Sequence, residues 1–493
     1  MRSANLDPLG SIRMTTPIPV NQCDFTLGEI ARATGGVIAP GASAALPVRG
    51  VSIDSRTIEP GALFVPLKGA DRDGHEFVAA AIRRGAAAVL LERGEAPTPS
   101  VNVGDTLTAL GDLARFHLER ERAIRAIPSI AILGSAGKTT TKEITAALAG
   151  ALFGPILSTP GNLNNLIGVP MTLFTLTRNQ RALVIECGTN TRGEIARLGA
   201  ILKPDTALVL NVDIEHSEGL GTIEEIADEE TAIFGATTRI AVAPAGDPRI
   251  LTRIPARLRS ILFGESAAAQ VRLTHRAVTS QGRATIVIEL APAMTESGVA
   301  PRIEAQLNLA GAQSALNAAA AIAGVAAIWP QVLGAAELRA IEGALATVRA
   351  VPGRLSTLTI RGIFIIDDSY NSNPRSARAA LEAASEAARD LGARLVVAMG
   401  DMLELGPLGP AAHVELIHAI ARARPAAVVA VGTQLAAACR SAGEPEIAAR
   451  AELAADSDEA ARIVGRVVRP GDVLLVKGSR GIRMERVIEA LQT

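Results

Sequence analysis

The sequence predicts an α/β protein of three domains: after a flexible extension over residues 1–23 come a small α/β domain over 24–125, a central domain with a parallel sheet and a phosphate loop over 126–348, and a doubly wound, Rossmann-like domain over 349–493. Three observations predict it. The chain has 493 residues, enough for several separate cores. Short apolar β-type runs alternate with helix-period segments, the rhythm of parallel sheets covered by helices. Polar residues gather just after those runs, where an open parallel sheet forms its ligand crevice.

Composition narrows the partners. Lys and Arg nearly balance Asp and Glu, giving a formal net charge of -1, so no long-range field favours nucleic acid or an anionic membrane. Hydrophobic residues make up 48% of the chain, but alanine inflates that share, and the most apolar window, Ala318 to Trp329, is too short to cross a bilayer. No nucleic-acid partner and no membrane insertion are expected. The first twenty or so residues lack the apolar core of a secretory signal, which predicts a cytoplasmic protein. Cys23, Cys187 and Cys439 have no metal-ligand spacing and read as small buried residues in a reducing compartment.

In the first domain Asp54-Ser55-Arg56, Pro60 to Gly69 and Asp73-Gly74-His75 punctuate a strand and turn pattern, with a helix predicted at Glu76 to Arg84. The central domain opens on an apolar strand from Ile130, then Gly134-Ser135-Ala136-Gly137-Lys138-Thr139-Thr140. Gly134 and Gly137 allow backbone N–H groups to converge on an anion, and a helix starting near Lys138 aims its positive end at the same place. Lys138 would neutralise outer phosphates and Thr139 would offer a hydroxyl to Mg²⁺. The position of a longer phosphate-loop pattern's first glycine is Ile132, so this is the shorter, less specific G-x-x-G-K-T form.

The run Thr159 to Pro170 is too rich in Gly, Asn and Pro for regular structure and reads as a functional loop. Strands are predicted at Ala182 to Cys187 and Thr206 to Val212, placing Glu186, Asp213 and His216 at or beyond strand ends. A carboxylate in the apolar run around Glu186 calls for a metal or a cationic partner. Residues 224–236 read as a helix with a solvated acidic face of Glu224, Glu225, Asp228, Glu229 and Glu230. Residues 270–290 read as a hairpin turning at Ser280-Gln281-Gly282, and an alanine-rich helix beyond Ala310 carries Gln313, Ser314 and Asn317. In the third domain, strands are predicted at Ile363 to Asp368, Arg394 to Gly400, Ala426 to Gly432 and Asp472 to Lys477. Asp368, Tyr370, Asn371, Asn373, Asp401 and Lys477 gather at or after their ends.

The ordered string DSR, PGALFVPLKG, DGHEF, GSAGKTT, TPGNLNNLIGVP, VIECG, HSEGLG, PGR, IDDSYNSNP, GDMLELG and VKGSR resembles the Mur ligases of peptidoglycan synthesis over roughly residues 24 to 490. The IDDSYNSNP segment resembles the members that join D-alanyl-D-alanine to UDP-N-acetylmuramoyl-tripeptide, and the Asp-Asn-Pro-Arg signature of the ligase adding the third residue is not found. The resemblance implies an N-terminal domain for the UDP-sugar peptide, a central ATPase and a C-terminal domain that completes the ATP site. It also implies a monomer, ATP and Mg²⁺ as cofactors, and an acyl-phosphate intermediate. By position, Thr139 and Glu186 resemble ligands of a first Mg²⁺ and His216 a ligand near a second. Arg354 and Asp368 resemble residues that close onto ATP, and Asn317 a nucleotide contact. Ser55, Arg56, Asn162, Asn164 and Asn165 resemble parts of the nucleotide-sugar and peptide site, with Tyr370, Asn371 and Asn373 on the substrate side.

Two departures carry expectations of their own. The family's carbamylated lysine aligns with Glu230, and no lysine lies between Lys203 and Lys477. The Glu230 carboxylate is therefore expected to supply that negative charge to the second Mg²⁺. Gln313 and Ser314 stand where the family often has His-Asn, which predicts relaxed adenine selectivity. A Mur-type ligase with another amine, or a nucleotide-binding paralogue weakened by the missing lysine, remain the alternatives.

Overall fold

The computed structural model describes residues 16–492 other than 70–71, 95, 97–98, 279–283 and 297–299. Most of the extension and the turn at Ser280-Gln281-Gly282 lie outside the described residues. The chain forms two compact units: Met1–Pro128 with Pro155–Cys187 and Arg197–Lys203, and Ser129–Gly154 with Gly188–Ala196 and Pro204–Thr493.

The first unit is built on a five-stranded sheet in the order Val37–Ile38, Ser100–Asn102, Ala88–Leu91, Leu63–Phe64, Val51–Ser52. The first pair is antiparallel and the others parallel. Helix Leu27–Thr34 starts at a Thr26–Glu29 capping box, in which each side chain satisfies the other's orphan amide. Helix Thr106–Ile124 starts at Asp105, whose carboxylate accepts from Thr108 N. The chain is anchored from Asn21 onward, earlier than residue 23: the Asn21 side chain pairs with both Val51 N and Val51 O. The predicted helix at Glu76 is a 3-10 turn, Gly74–Phe77, capped by Asp73 and continued by helix Val78–Arg83. A helix also occupies the end of the Gly/Asn-rich run, at Gly168–Leu173, because Asn165 Oδ1 accepts from the amides of Ile167 and Gly168. Phe25, His117 and Phe174 pack their rings within 6.0 to 6.3 Å of one another.

In the second unit one sheet runs Arg302–Leu307, Ala284–Leu290, Val271–Val278, Arg259–Gly264, Ile240–Pro244, Thr206–Val209, Ser129–Leu133. Its first three strands are an antiparallel meander and the rest are parallel. Helices Lys138–Phe153 and Ala312–Ile328 pack against each other. The second helix is alanine-rich because it is buried almost all round and leaves little room for side chains. The other sheet runs Ser356–Ile360, Ile363–Asp368, Val473–Lys477, Leu395–Gly400, Ala427–Val431, Ala451–Ala454, parallel except at the first pair. Separate apolar clusters cover its two faces, the doubly wound arrangement.

The helix predicted over 224–236 is two, Ile223–Thr231 and Ile233–Ala236, and its acidic face is only partly solvated. Glu229 turns inward, accepting from the amides of Gly193 and Ile195, and Glu230 is wholly buried. Helical periodicity sets which residues share a face, but not that backbone amides elsewhere in the fold will claim the carboxylates. Cys23, Cys187 and Cys439 are buried and not joined in disulfides, and burial pushes the Cys23 thiol up to about 12. Among the described residues no helix is long and apolar enough to cross a membrane.

Burial, reinforced by neighbouring Arg120, holds His117 below its ordinary value of 6.5. A folded pKa below the unfolded one means that the unfolded chain takes up the proton first as pH falls. The stability His117 contributes is thus complete above about 6.5 and declines below it. His117→Leu is expected to shrink that decline, read as the urea midpoint at about pH 7.5 and about pH 5.5.

Candidate active site

Strand Ser129–Leu133 runs into Gly134, and helix Lys138–Phe153 begins four residues later. Gly134 has φ 126°, and an added Cβ would lie 3.0 Å from backbone atoms of Asn211. Gly137 has φ 87°, and its Cβ would lie 2.8 Å from Asn317 Oδ1. Only glycine suits either place. Asn211 clamps the loop between them: its Oδ1 accepts from Ala136 N at 2.9 Å, its Nδ2 donates to Ala136 O at 2.9 Å, and its carbonyl accepts from Ser135 N at 3.1 Å. Gly134 N donates to Glu230 Oε2 at 2.9 Å.

The amides of Gly134, Ser135 and Ala136 are therefore engaged within the protein, which narrows the anion cradle expected from sequence. The first intrahelical bond is Thr141 N to Gly137 O. The amides from Gly137 to Thr140 thus stand outside the helical ladder, at the positive end of the dipole. Thr139 is buried on the first turn, and Lys138 Nζ donates to Gly134 O at 2.5 Å and to Glu215 Oε1 at 3.3 Å.

A cavity of about 280 Å³ opens beside this loop. Pro244, Phe263, Gly264 and Leu316 give it apolar walls, and Asn211, Gln313, Asn317 and Arg375 line it with polar groups. Such a slot suits a flat heteroaromatic ring with amides at its edge. Gln313 Nε2 donates to Asn317 Oδ1 at 3.4 Å, while Ser314 turns inward and donates to Ala310 O. Of the two substituted positions, Gln313 faces the cavity and Ser314 bonds back to the Ala310 carbonyl ahead of its own helix. The sequence offered no signal for Phe263 or Arg375, which reach the cavity from separate elements.

His216 sits at φ 45°, and its Nδ1 pairs with Glu404 Oε2 at 2.5 Å. Burial opposes a charge on His216, but the Glu404 hydrogen bond and the Glu215 carboxylate outweigh it and raise its pKa; the same bond lowers Glu404. Ser217 Oγ donates to Leu405 O at 2.9 Å beside it. In this arrangement His216 joins the Thr206–Val209 segment to the GDMLELG segment, and the pair must open before Nδ1 could ligate a metal.

At the other sheet, Arg354 stacks 4.2 Å from the Tyr370 ring centroid, with Arg480 at 5.8 Å. Asp368 Oδ2 pairs with the buried Lys477 Nζ at 2.5 Å, and Asp368 Oδ1 accepts from Leu355 N, so Asp368 fixes the backbone next to Arg354. Lys477 also donates to Asn371 O at 2.9 Å. Asn373 was expected on the substrate side. Instead its Oδ1 caps helix Pro374–Asp390 and its Nδ2 donates to Ser135 O at 2.9 Å, which brings this segment onto the phosphate loop.

A further group of predicted residues, Ser55, Arg56, Asn162, Asn164, Asn165 and Glu186, belongs to the first unit. Asn164 Nδ2 donates to Glu186 Oε1 at 2.7 Å and Glu186 N donates to Thr159 Oγ1, so a neutral amide meets the buried carboxylate. Asn165 is a helix cap, and Asn162 N donates to Thr16 Oγ1. Ser55 is buried. Burial raises Asp54, but the side-chain and backbone hydrogen bonds of Arg56 hold it below the usual carboxylate range; Arg56 is thereby aimed by Asp54.

Glu230, expected as a magnesium ligand, is 0% exposed behind the loop. Among the described residues its Oε1 has no donor partner, and its carboxyl group lies against Glu215. Burial first, then Glu215, pushes Glu230 up to about 7, against the pull of Lys138 and the Gly134 amide. A proton on Glu230 reconciles the two carboxyls. A folded value above the ordinary 4.5 means that the stability it contributes is complete below about 4.5 and is lost as pH rises through about 7. Glu230→Gln keeps an acceptor for Gly134 and a donor for Glu215, so its urea midpoint should fall less than the parent's between about pH 5 and about pH 8. Equal slopes would place the proton elsewhere.

Family models match along the chain: the Mur ligase middle domain at residues 132–325, the Mur ligase, glutamate ligase domain at 353–480 and the Mur ligase family, catalytic domain at 47–118. The UDP-N-acetylmuramoyl-tripeptide--D-alanyl-D-alanine ligase of Escherichia coli is 35% identical over 453 residues, covering 90% of this chain and 93% of that protein. The Bacillus subtilis enzyme of the same name is 30% identical, covering 94% and 98%. Among solved structures, a MurF crystal structure from Acinetobacter baumannii superposes with a TM-score of 0.85 at 28% identity, covering 96% of this chain and 100% of that one. MurF ligase from Thermotoga maritima in complex with ADP gives 0.75 at 27% identity, covering 90% and 96%. With the phosphate loop, the base-sized cavity and the doubly wound sheet already in place, these likenesses make the chain a member of the Mur ligase family.

Proposed function

We propose that this chain is an ATP-dependent ligase that adds D-alanyl-D-alanine to UDP-N-acetylmuramoyl-tripeptide in peptidoglycan precursor synthesis. The observation that carries the reading is the juxtaposition of a helix N-terminus, Lys138 and an apolar cavity edged by amides, all within one unit. It accounts for the phosphates and the base of ATP together. The substrates are those named for the E. coli and B. subtilis relatives.

In this reading the purine lies against Phe263 and Leu316, and Asn317 holds both the cavity rim and the back of Gly137. The amides from Gly137 to Thr140 and the Lys138 ammonium receive the phosphates. The substrate carboxylate attacks the γ-phosphorus and ADP leaves. The D-alanyl-D-alanine amine then attacks the acyl carbon and inorganic phosphate leaves. Lys138 offsets charge that spreads over the phosphoryl oxygens in the first step. Arg354, held by Tyr370 and by the Asp368-anchored backbone, is a further cation assigned to the nucleotide.

The Thr139 hydroxyl, buried on the first turn of the helix, is a hard oxygen donor and fits Mg²⁺. Thr139 would hold the ion with phosphate oxygens and water, and when bound Mg²⁺ supplies charge neutralisation at the γ-phosphate. Ser55, Arg56, Asn162, Asn164 and Asn165 are assigned to the UDP-sugar peptide. A monomer in the cytoplasm completes the reading; the absence of a disulfide among the three cysteines supports the compartment.

Phosphate release from ATP with UDP-N-acetylmuramoyl tripeptide should require D-alanyl-D-alanine and yield a product of matching mass. Release that needs another amine would assign a different Mur-type ligase, and nucleotide binding with no turnover a binding paralogue. Lys138→Ala is expected to lower kcat by roughly 10²-fold or more, the scale of losing a preorganised charge at a phosphoryl group. Ala245→Trp, which fills the cavity wall, should raise KM for ATP and leave KM for the dipeptide unchanged.

A further inference from the structure

Glu215 lies between strand Thr206–Val209 and His216 and is 6% exposed. Its two oxygens face different partners. Oε1 accepts from Lys138 Nζ at 3.3 Å, and Oε2 accepts from Asn373 Nδ2 at 3.4 Å. The same Asn373 nitrogen donates to Ser135 O at 2.9 Å, inside the phosphate loop. Glu215 therefore closes a ring of contacts: Lys138, Glu215, Asn373 and back to the loop through Ser135. Glu230, held beneath by Gly134 N, lies against the same carboxylate.

A buried carboxylate beside the lysine of an anion-binding loop has a definite electrostatic consequence. It satisfies the ammonium in the absence of any other anion, and it competes for that ammonium with an anion that arrives there. We propose that Glu215 is a positioning residue that acts as an internal stand-in for phosphate, holding Lys138 over the loop and yielding it to the incoming nucleotide. Because Glu215 also grips Asn373 at the start of helix Pro374–Asp390, its release from Lys138 links nucleotide arrival to the grip of the C-terminal sheet on the loop. The inference rests on the nucleotide reading of this loop. A carboxylate serving only to brace the fold would act in the opposite direction, since its loss would loosen the loop and weaken binding.

The test is calorimetric titration of the full chain with ATP and with ADP, in EDTA so that no divalent cation takes part. Glu215→Gln keeps an acceptor for Asn373 but removes the charge. It should bind both nucleotides more tightly, with Kd lower by roughly tenfold, the scale of one partly screened charge pair. In a Lys138→Ala background the same substitution should change Kd by less than about twofold, because the competition runs through that lysine. Unchanged or weaker binding by a Glu215→Gln chain with parental circular dichroism would overturn the proposal, as would an equal gain with and without Lys138. Should Glu215→Gln fail to fold, Glu215→Asp withdraws the carboxylate from Lys138 by one methylene and should tighten binding several-fold; no tightening there overturns the proposal too. Absence of ATP binding by the unaltered chain would overturn the nucleotide reading itself, and this inference with it.

Discussion

A helix N-terminus binds phosphate well only when the loop that precedes it is held by something other than the phosphate. Here that constraint is met by two residues from outside the loop, Asn211 through its side chain and its carbonyl and Glu230 through its carboxyl group. Asn211 takes both polar groups of Ala136 and the amide of Ser135, and Glu230 takes the amide of Gly134. Every amide so engaged is one that need not be desolvated and ordered when a ligand arrives, and the amides from Gly137 to Thr140 stay outside the helical ladder. Asn317, pressed against Gly137 and lining the cavity, makes the loop and the cavity parts of one arrangement.

The structure handles the titratable groups in and around that arrangement by pairing. Lys138 meets Glu215, Glu215 meets Glu230, His216 meets Glu404, and Lys477 meets Asp368. Burying any of these charges alone would cost several kcal/mol, so each pair constrains the elements that supply it. The Lys477–Asp368 pair ties adjacent strands of the C-terminal sheet at their carboxyl ends, where Asn371, Ser372 and Ser479 also bond to one another's neighbourhood. The result is a firm platform under Arg354 and Tyr370, at the crevice that a doubly wound sheet reserves for ligands.

Much of the fold was legible because buried parallel strands are written as continuous apolar runs, and the strands at Ile363–Asp368, Leu395–Gly400, Ala427–Val431 and Val473–Lys477 stand within a residue of their predicted ends. The phosphate loop was legible for a different reason: glycine spacing and a following lysine are local chemistry. The helix at Gly168–Leu173 was missed because its cap, Asn165, looks like one more polar loop residue. Glu229 and Glu230 were read as solvated because charge on a helix usually is. What overrode that prior were amide donors at Gly193, Ile195 and Gly134, far away in sequence.

The sequence by itself determined the elements, the phosphate loop, the likeness to the Mur ligases and the residue types available for chemistry, since all of these rest on spacing within short segments. Tertiary structure decided what those residues do. It made Asn373 a link to Ser135 where the sequence suggested a substrate contact, turned Ser314 away from the cavity and Gln313 toward it, and brought Phe263 and Arg375 into the same wall. It also set Glu215, silent in the sequence, between Lys138 and Asn373. The physical reason is that a buried polar group must find its partner wherever the packed chain supplies one, and those partners lie tens to hundreds of residues away.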